Sequence, residues 1–191
     1  MPRFFRLSKD QAVINRYGFN SDGHDTVGQR LRERLNKYLS WNPSTANNQD
    51  KARNSLQEKK LLGVNLGKNK TSPAESHADY IDGIAALGEF ADYIVINISS
   101  PNTPGLRALQ RRAPIEELLN LAKEKRDKVL SHKPPLVVKI APDCSDQELE
   151  DIAAVVESVG IDGIIISNTT ISRPASLVSG KIVCILLTKH V

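Results

Sequence analysis

Four short apolar runs alternate along the chain with segments of helical periodicity, and this alternation constrains the fold more than any other feature. The runs begin at Leu61, Tyr93, Leu136 and Gly163. Short apolar runs of this kind are typical of strands buried on both faces, as in a parallel sheet. Strands and helices that alternate with short connections indicate an α/β fold. We therefore predict a parallel sheet covered by helices.

Helical spacing of apolar residues marks the segments between these runs. The predicted helices span Pro73–Phe90, Pro114–Leu130 and Ser145–Val159. At the start of the third helix, Ser145 and Glu148 form a capping-box pattern, in which each side chain accepts a hydrogen bond from the backbone N–H of the other residue. The sequence therefore predicts both the helix and the residue at which it begins.

Each predicted strand ends in polar side chains, and this favours one α/β architecture over another. A (β/α)8 barrel builds its active site at the carboxyl ends of its strands, whereas a doubly wound sheet binds mainly at one switch point through a Gly-rich loop. No G-x-G-x-x-G pattern follows any of the four strands. We predict a partial (β/α)8 (TIM) barrel, because a complete barrel usually takes about 250 residues and this chain has 191. The chain corresponds to roughly the first half to two-thirds of such a barrel.

The polar stretch Asn97–Thr103 follows the second strand and has the composition of a ligand site. Its carboxamides, Asn97 and Asn102, each offer a donor and an acceptor, which suits a planar ring such as a pyrimidine or a flavin. A serine between them can act as an acceptor, a nucleophile or a base. The alternative interpretation is an ordinary polar turn.

Charge and composition restrict the classes of partner. The net charge is +4, and much of the basic surplus falls on Arg30, Arg32, Arg34 and Lys37. Leucines are interleaved with these residues, and aromatic residues make up only 5% of the chain. We therefore interpret this stretch as a solvated helix face and expect no nucleic-acid partner. The sequence has no apolar run of the roughly 18 residues that a transmembrane helix needs.

Features outside the strand–helix pattern suggest no further chemistry. The two cysteines, Cys144 and Cys184, have no metal-ligand spacing, so we expect no metal and a reducing compartment. Residues 40–60 are rich in Asn, Ser, Gln and Lys and are predicted to be a mobile surface insertion. Residues 176–191 form a divergent tail that contains an apolar run prone to aggregation.

Five motifs, taken in order, resemble a known enzyme family. They are Asn15–Asn20, Gly63–Lys70, Asn97–Arg107, Lys139–Asp143 and Ser167–Pro174. In that order and spacing they are similar to dihydroorotate dehydrogenases of class 2, the quinone-linked mitochondrial type. The resemblance covers residues 1–175 apart from the polar insertion, and it implies a barrel of the FMN-linked oxidoreductase type.

The resemblance implies an oxidoreductase that converts dihydroorotate to orotate in the biosynthesis of pyrimidines. FMN would accept the hydride, and ubiquinone would be the final acceptor. Ser100 falls at the position of the catalytic base, where class 1 members of the family have a cysteine. Serine is a weak base, so the resemblance also implies that desolvation and a proton path activate it.

Two sets of binding residues follow from the same resemblance. Substrate contacts fall on Asn15, Arg16, Tyr17, Gly18, Phe19, Asn97, Asn102, Asn168 and Thr169. FMN contacts fall on Asn65, Asn97, Lys139 and Ser167. Lys139 matches the lysine that faces the pyrimidine end of the flavin, where its ammonium would stabilise negative charge. The alternative for Lys139 is a side chain that extends to solvent at a strand edge.

Compared with the family pattern, we expect this chain to lack several parts. They are the mitochondrial targeting segment, the membrane anchor, the helices of the quinone tunnel and the later strands that bind the FMN phosphate. We therefore expect a fragment that binds FMN weakly or not at all and does not turn over alone. We also expect it in the cytosol rather than at the mitochondrial inner membrane. The family reaches ubiquinone and the membrane through an N-terminal region that we expect this chain to lack.

Three alternatives stay open at this point. The chain is a non-catalytic short isoform, or an unstable by-product, or part of a related FMN barrel that reduces pyrimidines, as in dihydropyrimidine dehydrogenase. In the last case we would expect a cysteine in place of Ser100.

Overall fold

A four-stranded parallel sheet with helices packed on one face forms the body of the chain. The computed structural model describes residues 3–18, 20–43, 54–99 and 111–179. The strands are β1 (Phe4–Leu7), β2 (Ala12–Asn15), β3 (Gly63–Gly67), β4 (Tyr93–Asn97), β5 (Leu136–Ile140) and β6 (Gly163–Ile166). The helices are α1 (His24–Trp41), α2 (Ala78–Leu87), α3 (Arg112–Val129) and α4 (Asp146–Val159).

The main sheet follows the order of the chain. β3, β4, β5 and β6 lie side by side, and each pairs in parallel with the next. Helices α2, α3 and α4 connect successive strands, so the sheet consists of the βα units from which a (β/α)8 barrel is built. The predicted partial barrel is confirmed. β1 and β2 form a separate antiparallel hairpin, which the sequence patterns did not predict.

The two faces of the sheet differ in chemistry, because successive side chains of a strand point to opposite sides. One face packs on the helices and supplies the strand residues of the core: Val64, Leu66, Ile94, Ile96, Leu136, Val138 and Ile140. The opposite face, here called the site face, comprises Asn65, Val95, Asn97, Val137 and Lys139. Asn97 and Lys139 are register partners on β4 and β5, so a carboxamide and an ammonium group are neighbours on the site face.

Helix α4 begins as the sequence predicts. Ser145 Oγ accepts a hydrogen bond from the backbone N–H of Glu148 at 3.3 Å. In return, the backbone N–H of Ser145 donates to Glu148 Oε2 at 2.8 Å. The reciprocal pair completes the predicted capping box and satisfies N–H groups that a helix start leaves without intrahelical partners.

Helix α2 begins at Ala78, five residues later than the sequence pattern predicts. The residues before it are held by the end of β3 instead. The buried Lys68 ammonium donates to the carbonyl of Ser76. The backbone N–H and the Nδ2 of Asn69 each donate to the Asp79 carboxylate at 2.9 Å. These long-range contacts take the place of the first predicted helical turn.

At the amino end of the sheet, an aspartate before one strand forms a reciprocal pair of hydrogen bonds with a residue at or directly before the start of the neighbouring strand. This arrangement occurs at two places. At the first, Leu62 N donates to Asp92 Oδ2 at 2.7 Å, and Asp92 N donates to the Leu62 carbonyl at 2.8 Å. At the second, Leu136 and Asp162 exchange the same pair of hydrogen bonds, at 2.8 and 2.9 Å. Each pair ties the entry of one strand to the entry of the next strand along the chain.

The Asp92 carboxylate also fixes the end of the predicted polar insertion. The backbone N–H groups of Asn54 and Ser55 donate to it at 2.8 and 3.0 Å. Ser55 is only 5% exposed, so residues 54 and 55 are packed against the sheet rather than projecting from it. Residues 44–53 of the insertion lie outside the described part of the chain.

Gly88, at the end of α2, provides the first testable consequence of the packing. A Cβ at this position would lie 2.3 Å from Leu130 Cδ1 and 3.3 Å from Ile94 Cδ1, and both neighbours are buried. We expect Gly88→Ala to lower the free energy of unfolding by about 1–3 kcal/mol through overpacking, as measured by urea denaturation. Gly28→Ala in α1, whose Cβ would meet ordinary contacts with α2 at 3.4 and 3.5 Å, is the matched control. Equal stability of the two variants would contradict the prediction.

Candidate functional site

The candidate site lies where β4, β5 and β6 end, and Ser99 is at its centre. β4 continues past Asn97, because the backbone N–H of Ile98 donates to the Lys139 carbonyl at 3.2 Å. Ser99 then donates twice to Asn97 Oδ1, from its backbone N–H at 3.1 Å and from its hydroxyl at 2.7 Å. Both residues are almost completely buried, at 3% exposure for Asn97 and 1% for Ser99.

Lys139 contacts the same serine from β5. Its ammonium donates to Ser99 Oγ at 2.9 Å. Partial burial lowers the pKa of Lys139 below its ordinary value, because the charged form loses hydration. The hydrogen bond directs the Lys139 side chain to the strand ends, so the alternative of a lysine that extends freely to solvent does not describe this structure.

The segment after β6 joins the cluster through Asn168. Its Nδ2 donates to the carbonyl of Ser99 at 3.0 Å. On the other side of β4, the buried Tyr80 hydroxyl donates to the carbonyl of Asn97 at 3.1 Å. Burial raises the pKa of Tyr80, so the phenol keeps the proton that it donates. Three strand ends and α2 therefore fix the positions of Asn97, Lys139 and Asn168.

The structure places other sequence-predicted substrate residues in a neighbouring cleft. Asn15, Arg16 and Thr169 line a cavity of about 630 Å³ between the β1–β2 hairpin and the segment after β6. Asp143 holds that segment, since its carboxylate accepts from the Thr170 hydroxyl and, at 3.2 Å, from the backbone N–H of Ile171.

Four other predicted site residues do not line this cavity. They are Tyr17, Gly18 and the predicted flavin contacts Asn65 and Ser167. The backbone N–H of Tyr17 donates to Asn15 Oδ1 at 2.9 Å, and Gly18 follows with a positive φ of 72°. Asn65 lies on the site face and lines a second cavity of about 420 Å³ beside α1 and α2. The Ser167 hydroxyl donates to the carbonyl of Asn168 at 3.3 Å.

Three predicted site residues, Phe19, Ser100 and Asn102, lie outside the described part of the chain. Conversely, Ser99 received no role from the sequence, although the structure puts it in contact with three predicted site residues. The signal available in the sequence was the spacing of Ser99 from Asn97. Ser99 follows Asn97 by two positions, so a continuing strand places both side chains on the same face.

The donors at the strand ends are suited to an electron-rich planar group. Asn97 Oδ1 is occupied by Ser99, and no described residue accepts a hydrogen bond from its Nδ2. Within the same described residues, the only acceptor of the Lys139 ammonium is Ser99 Oγ. An amide N–H₂ and an ammonium whose remaining donors no described residue uses fit the carbonyl oxygens and ring nitrogens of a flavin or a pyrimidine. The residues present therefore fit FMN as an implied cofactor.

None of the helices in the described ranges is long and apolar enough to cross a membrane. This finding concerns residues 3–18, 20–43, 54–99 and 111–179 only.

Comparisons with known proteins agree with the fold. The family model for dihydroorotate dehydrogenase matches residues 1–184. Over 187 residues the chain is 47% identical to dihydroorotate dehydrogenase (quinone), mitochondrial, of Kluyveromyces lactis, which covers 93% of this chain and 41% of that protein. The mouse protein of the same name is 49% identical over 177 residues, with 92% and 41% coverage.

A solved structure gives the same result. The crystal structure of DHODH from Eimeria tenella in complex with ferulenol matches this chain with a TM-score of 0.78 and 41% identity. The match covers 93% of this chain and 48% of that one. The chain thus spans about two fifths of the length of the curated relatives described above. Since the family model matches nearly the whole chain, the chain belongs to the dihydroorotate dehydrogenase family.

Proposed function

We propose that this chain contributes the site at which dihydroorotate is oxidised to orotate, with FMN as cofactor and a quinone as final acceptor. The observation that supports this proposal best is the convergence of Asn97, Lys139 and Asn168 on Ser99 at the ends of β4, β5 and β6. Relatives named dihydroorotate dehydrogenase (quinone), mitochondrial, support the reaction, the acceptor and a mitochondrial setting.

The carboxamides would bind the substrate ring. Dihydroorotate presents ring N–H and C=O groups and a carboxylate, and each carboxamide can match a neighbouring donor and acceptor. We assign substrate contacts to Asn97, Asn102, Asn168 and Thr169 at the strand ends. Asn15 and the following residues 16–19 would close the same pocket from the hairpin, consistent with the cavity that Asn15, Arg16 and Thr169 share. Their contribution is to hold the ring in a reactive orientation.

Ser100 is the proposed base. It would remove the proton from C5 of dihydroorotate, so that electrons become available for loss of the hydride from C6. A serine hydroxyl is a weak base, and exclusion of water together with a route for its proton would be needed to activate it. Its neighbour Ser99 is already 1% exposed, which supports a water-poor setting at this point of the chain.

Asn65, Asn97, Lys139 and Ser167 are the proposed residues for holding FMN. When bound, FMN supplies the acceptor for the hydride that leaves the substrate. Lys139 would place its positive charge beside the ring on which negative charge develops, and a preformed charge in a site of low polarity favours that transfer. Asn97 and Lys139 are register partners on the site face, which supports this assignment.

The test is the visible spectrum of FMN titrated with an excess of the chain, followed by anaerobic addition of dihydroorotate. An excess of protein is needed because we expect weak binding. We expect the chain to perturb the flavin spectrum and dihydroorotate to bleach it in a single slow half-reaction, without repeated turnover. We expect Ser100→Ala to preserve the perturbation and abolish the bleaching. A spectrum identical to that of free FMN at every protein concentration would overturn the proposal.

A further inference from the structure

We propose that Ser99 is a positioning residue, which determines the end of the Asn97 carboxamide that faces the ligand and the location of the Lys139 ammonium. The contacts that support this inference are internal to the protein. The identity of the ligand that meets those groups rests on the function proposed above.

The hydrogen-bond direction at Ser99 follows from the chemistry of its neighbours. An ammonium group can only donate, so the Lys139 Nζ at 2.9 Å uses a lone pair of the Ser99 hydroxyl. The hydroxyl hydrogen is then directed to its other neighbour, Asn97 Oδ1, at 2.7 Å. The position of the Lys139 ammonium therefore sets the direction in which the Ser99 hydroxyl donates to Asn97.

The same contacts fix the orientation of the Asn97 amide. Its Oδ1 accepts both the hydroxyl and the backbone N–H of Ser99. If the amide were rotated by half a turn, its N–H₂ group would face two donors, which is unfavourable in a buried site. Asn97 is therefore restricted to presenting its Nδ2 as a donor to the ligand.

Asn168 is oriented by the backbone of the same residue. Its Nδ2 donates to the Ser99 carbonyl at 3.0 Å, and no residue in the described part of the chain donates to its Oδ1. Ser99 thus arranges a cation at Lys139, a donor at Asn97 and an acceptor at Asn168. That set complements a planar imide-like edge, in which a ring N–H lies beside carbonyl groups.

This role predicts a graded response at position 99. Ser99→Ala removes the acceptor for Lys139 and the hydroxyl donor to Asn97 but keeps the backbone N–H donor. Ser99→Cys keeps a weaker version of both side-chain contacts. Ser158→Ala is the control, because the one partner of the Ser158 hydroxyl in the described part of the chain is the Val155 carbonyl of the same helix, at 3.1 Å. The first readout is the pH titration of the Lys139 side chain by NMR, assigned through the loss of its signal in Lys139→Met.

We expect the pKa of Lys139 to fall in Ser99→Ala, because the charged form loses its hydrogen-bond acceptor. We expect a smaller fall in Ser99→Cys and none in Ser158→Ala. An unchanged Lys139 titration in Ser99→Ala would overturn the inference. If Ser99→Ala does not fold, the comparison of Ser99→Cys with the original chain decides the question on the same criterion.

The second readout is the affinity for FMN and orotate, which separates this inference from the proposed function. Loss of one charge-assisted hydrogen bond is expected to weaken binding about tenfold in Ser99→Ala. A changed Lys139 titration together with an absence of FMN and orotate binding in every variant would support the positioning role and contradict the function. Binding to the original chain and to Ser99→Ala with equal affinity would overturn the positioning role.

Discussion

Replacement of Asp92 by alanine is expected to lower the free energy of unfolding by about 3 kcal/mol or more. The Asp92 carboxylate accepts hydrogen bonds from the backbone N–H groups of Asn54, Ser55 and Leu62. Each buried donor left without its acceptor costs about 1–3 kcal/mol. The loss would free the segment before β3 and open the amino end of the sheet. Urea denaturation followed by circular dichroism measures the effect.

Glu89→Ala is the matched control for this prediction. Glu89 lies three residues before Asp92, and its one side-chain partner among the described residues is Arg32, in an exposed ion pair at 2.9 Å. Exposed pairs of this kind contribute about 0–1 kcal/mol, so we expect little change. If Asp92→Ala proved no less stable than Glu89→Ala, the hydrogen bonds of the Asp92 carboxylate would not stabilise the amino end of the sheet, and the prediction would be wrong.

Replacement of Lys139 by methionine is expected to slow the bleaching of FMN by dihydroorotate about a hundredfold. The cost of removing one preorganised group that stabilises developing charge is typically of this size. Lys123→Met is the control, because Lys123 is also half-buried but donates to the Val159 carbonyl between α3 and α4. That variant is expected to lose stability and to keep the rate of bleaching. Equal rates in the Lys139→Met variant and the original chain would contradict the assignment of Lys139.

The same substitution changes the dependence of stability on pH. Burial lowers the pKa of Lys139 from its ordinary 10.5, so the unfolded chain holds this proton more tightly than the folded chain. Between the lowered pKa and 10.5, the unfolded state therefore binds more protons, and the free energy of unfolding rises with pH. The Lys139→Met variant is expected to lack this contribution, which urea denaturation at a series of alkaline pH values would show.

The sequence was sufficient for the parts of the fold that depend on local patterns. Apolar runs predicted β3 to β6, helical spacing predicted α2 to α4, and the Ser145–Glu148 pattern predicted the start of α4. The β1–β2 hairpin was missed because its turn contains Gln11 in a left-handed conformation, with φ of 49°. Such a turn normally has glycine or asparagine. The buried side chains of Leu7 and Ile14 stabilise the hairpin, and a local pattern does not show such contacts.

The sequence predicted most residues of the candidate site but not the hydrogen bonds that join them. The resemblance to the family identified Asn97, Lys139 and Asn168, which the structure brings together. It did not identify Ser99, because the family pattern assigns a role to the neighbouring Ser100, and the two-residue spacing of Ser99 from Asn97 is informative only if the strand continues past Asn97. The reciprocal hydrogen bonds of Asp92 and Asp162 at the amino end of the sheet were also missed. Both aspartates precede a strand and follow an apolar residue, so the repeat was visible in the sequence, but its partners lie 30 and 26 residues away.

NMR mapping of FMN and orotate on the full chain, labelled with ¹⁵N in the side-chain amides and ¹³C in the lysines, tests directly whether the ends of β4, β5 and β6 form the binding site. We predict that FMN shifts the signals of Asn65, Asn97 and Lys139, and that orotate shifts those of Asn97 and Asn168. Lys123, which contacts the end of α4 instead, should be unaffected. Saturable shifts confined to residues away from the ends of β4, β5 and β6, or no shifts at all, would contradict the account.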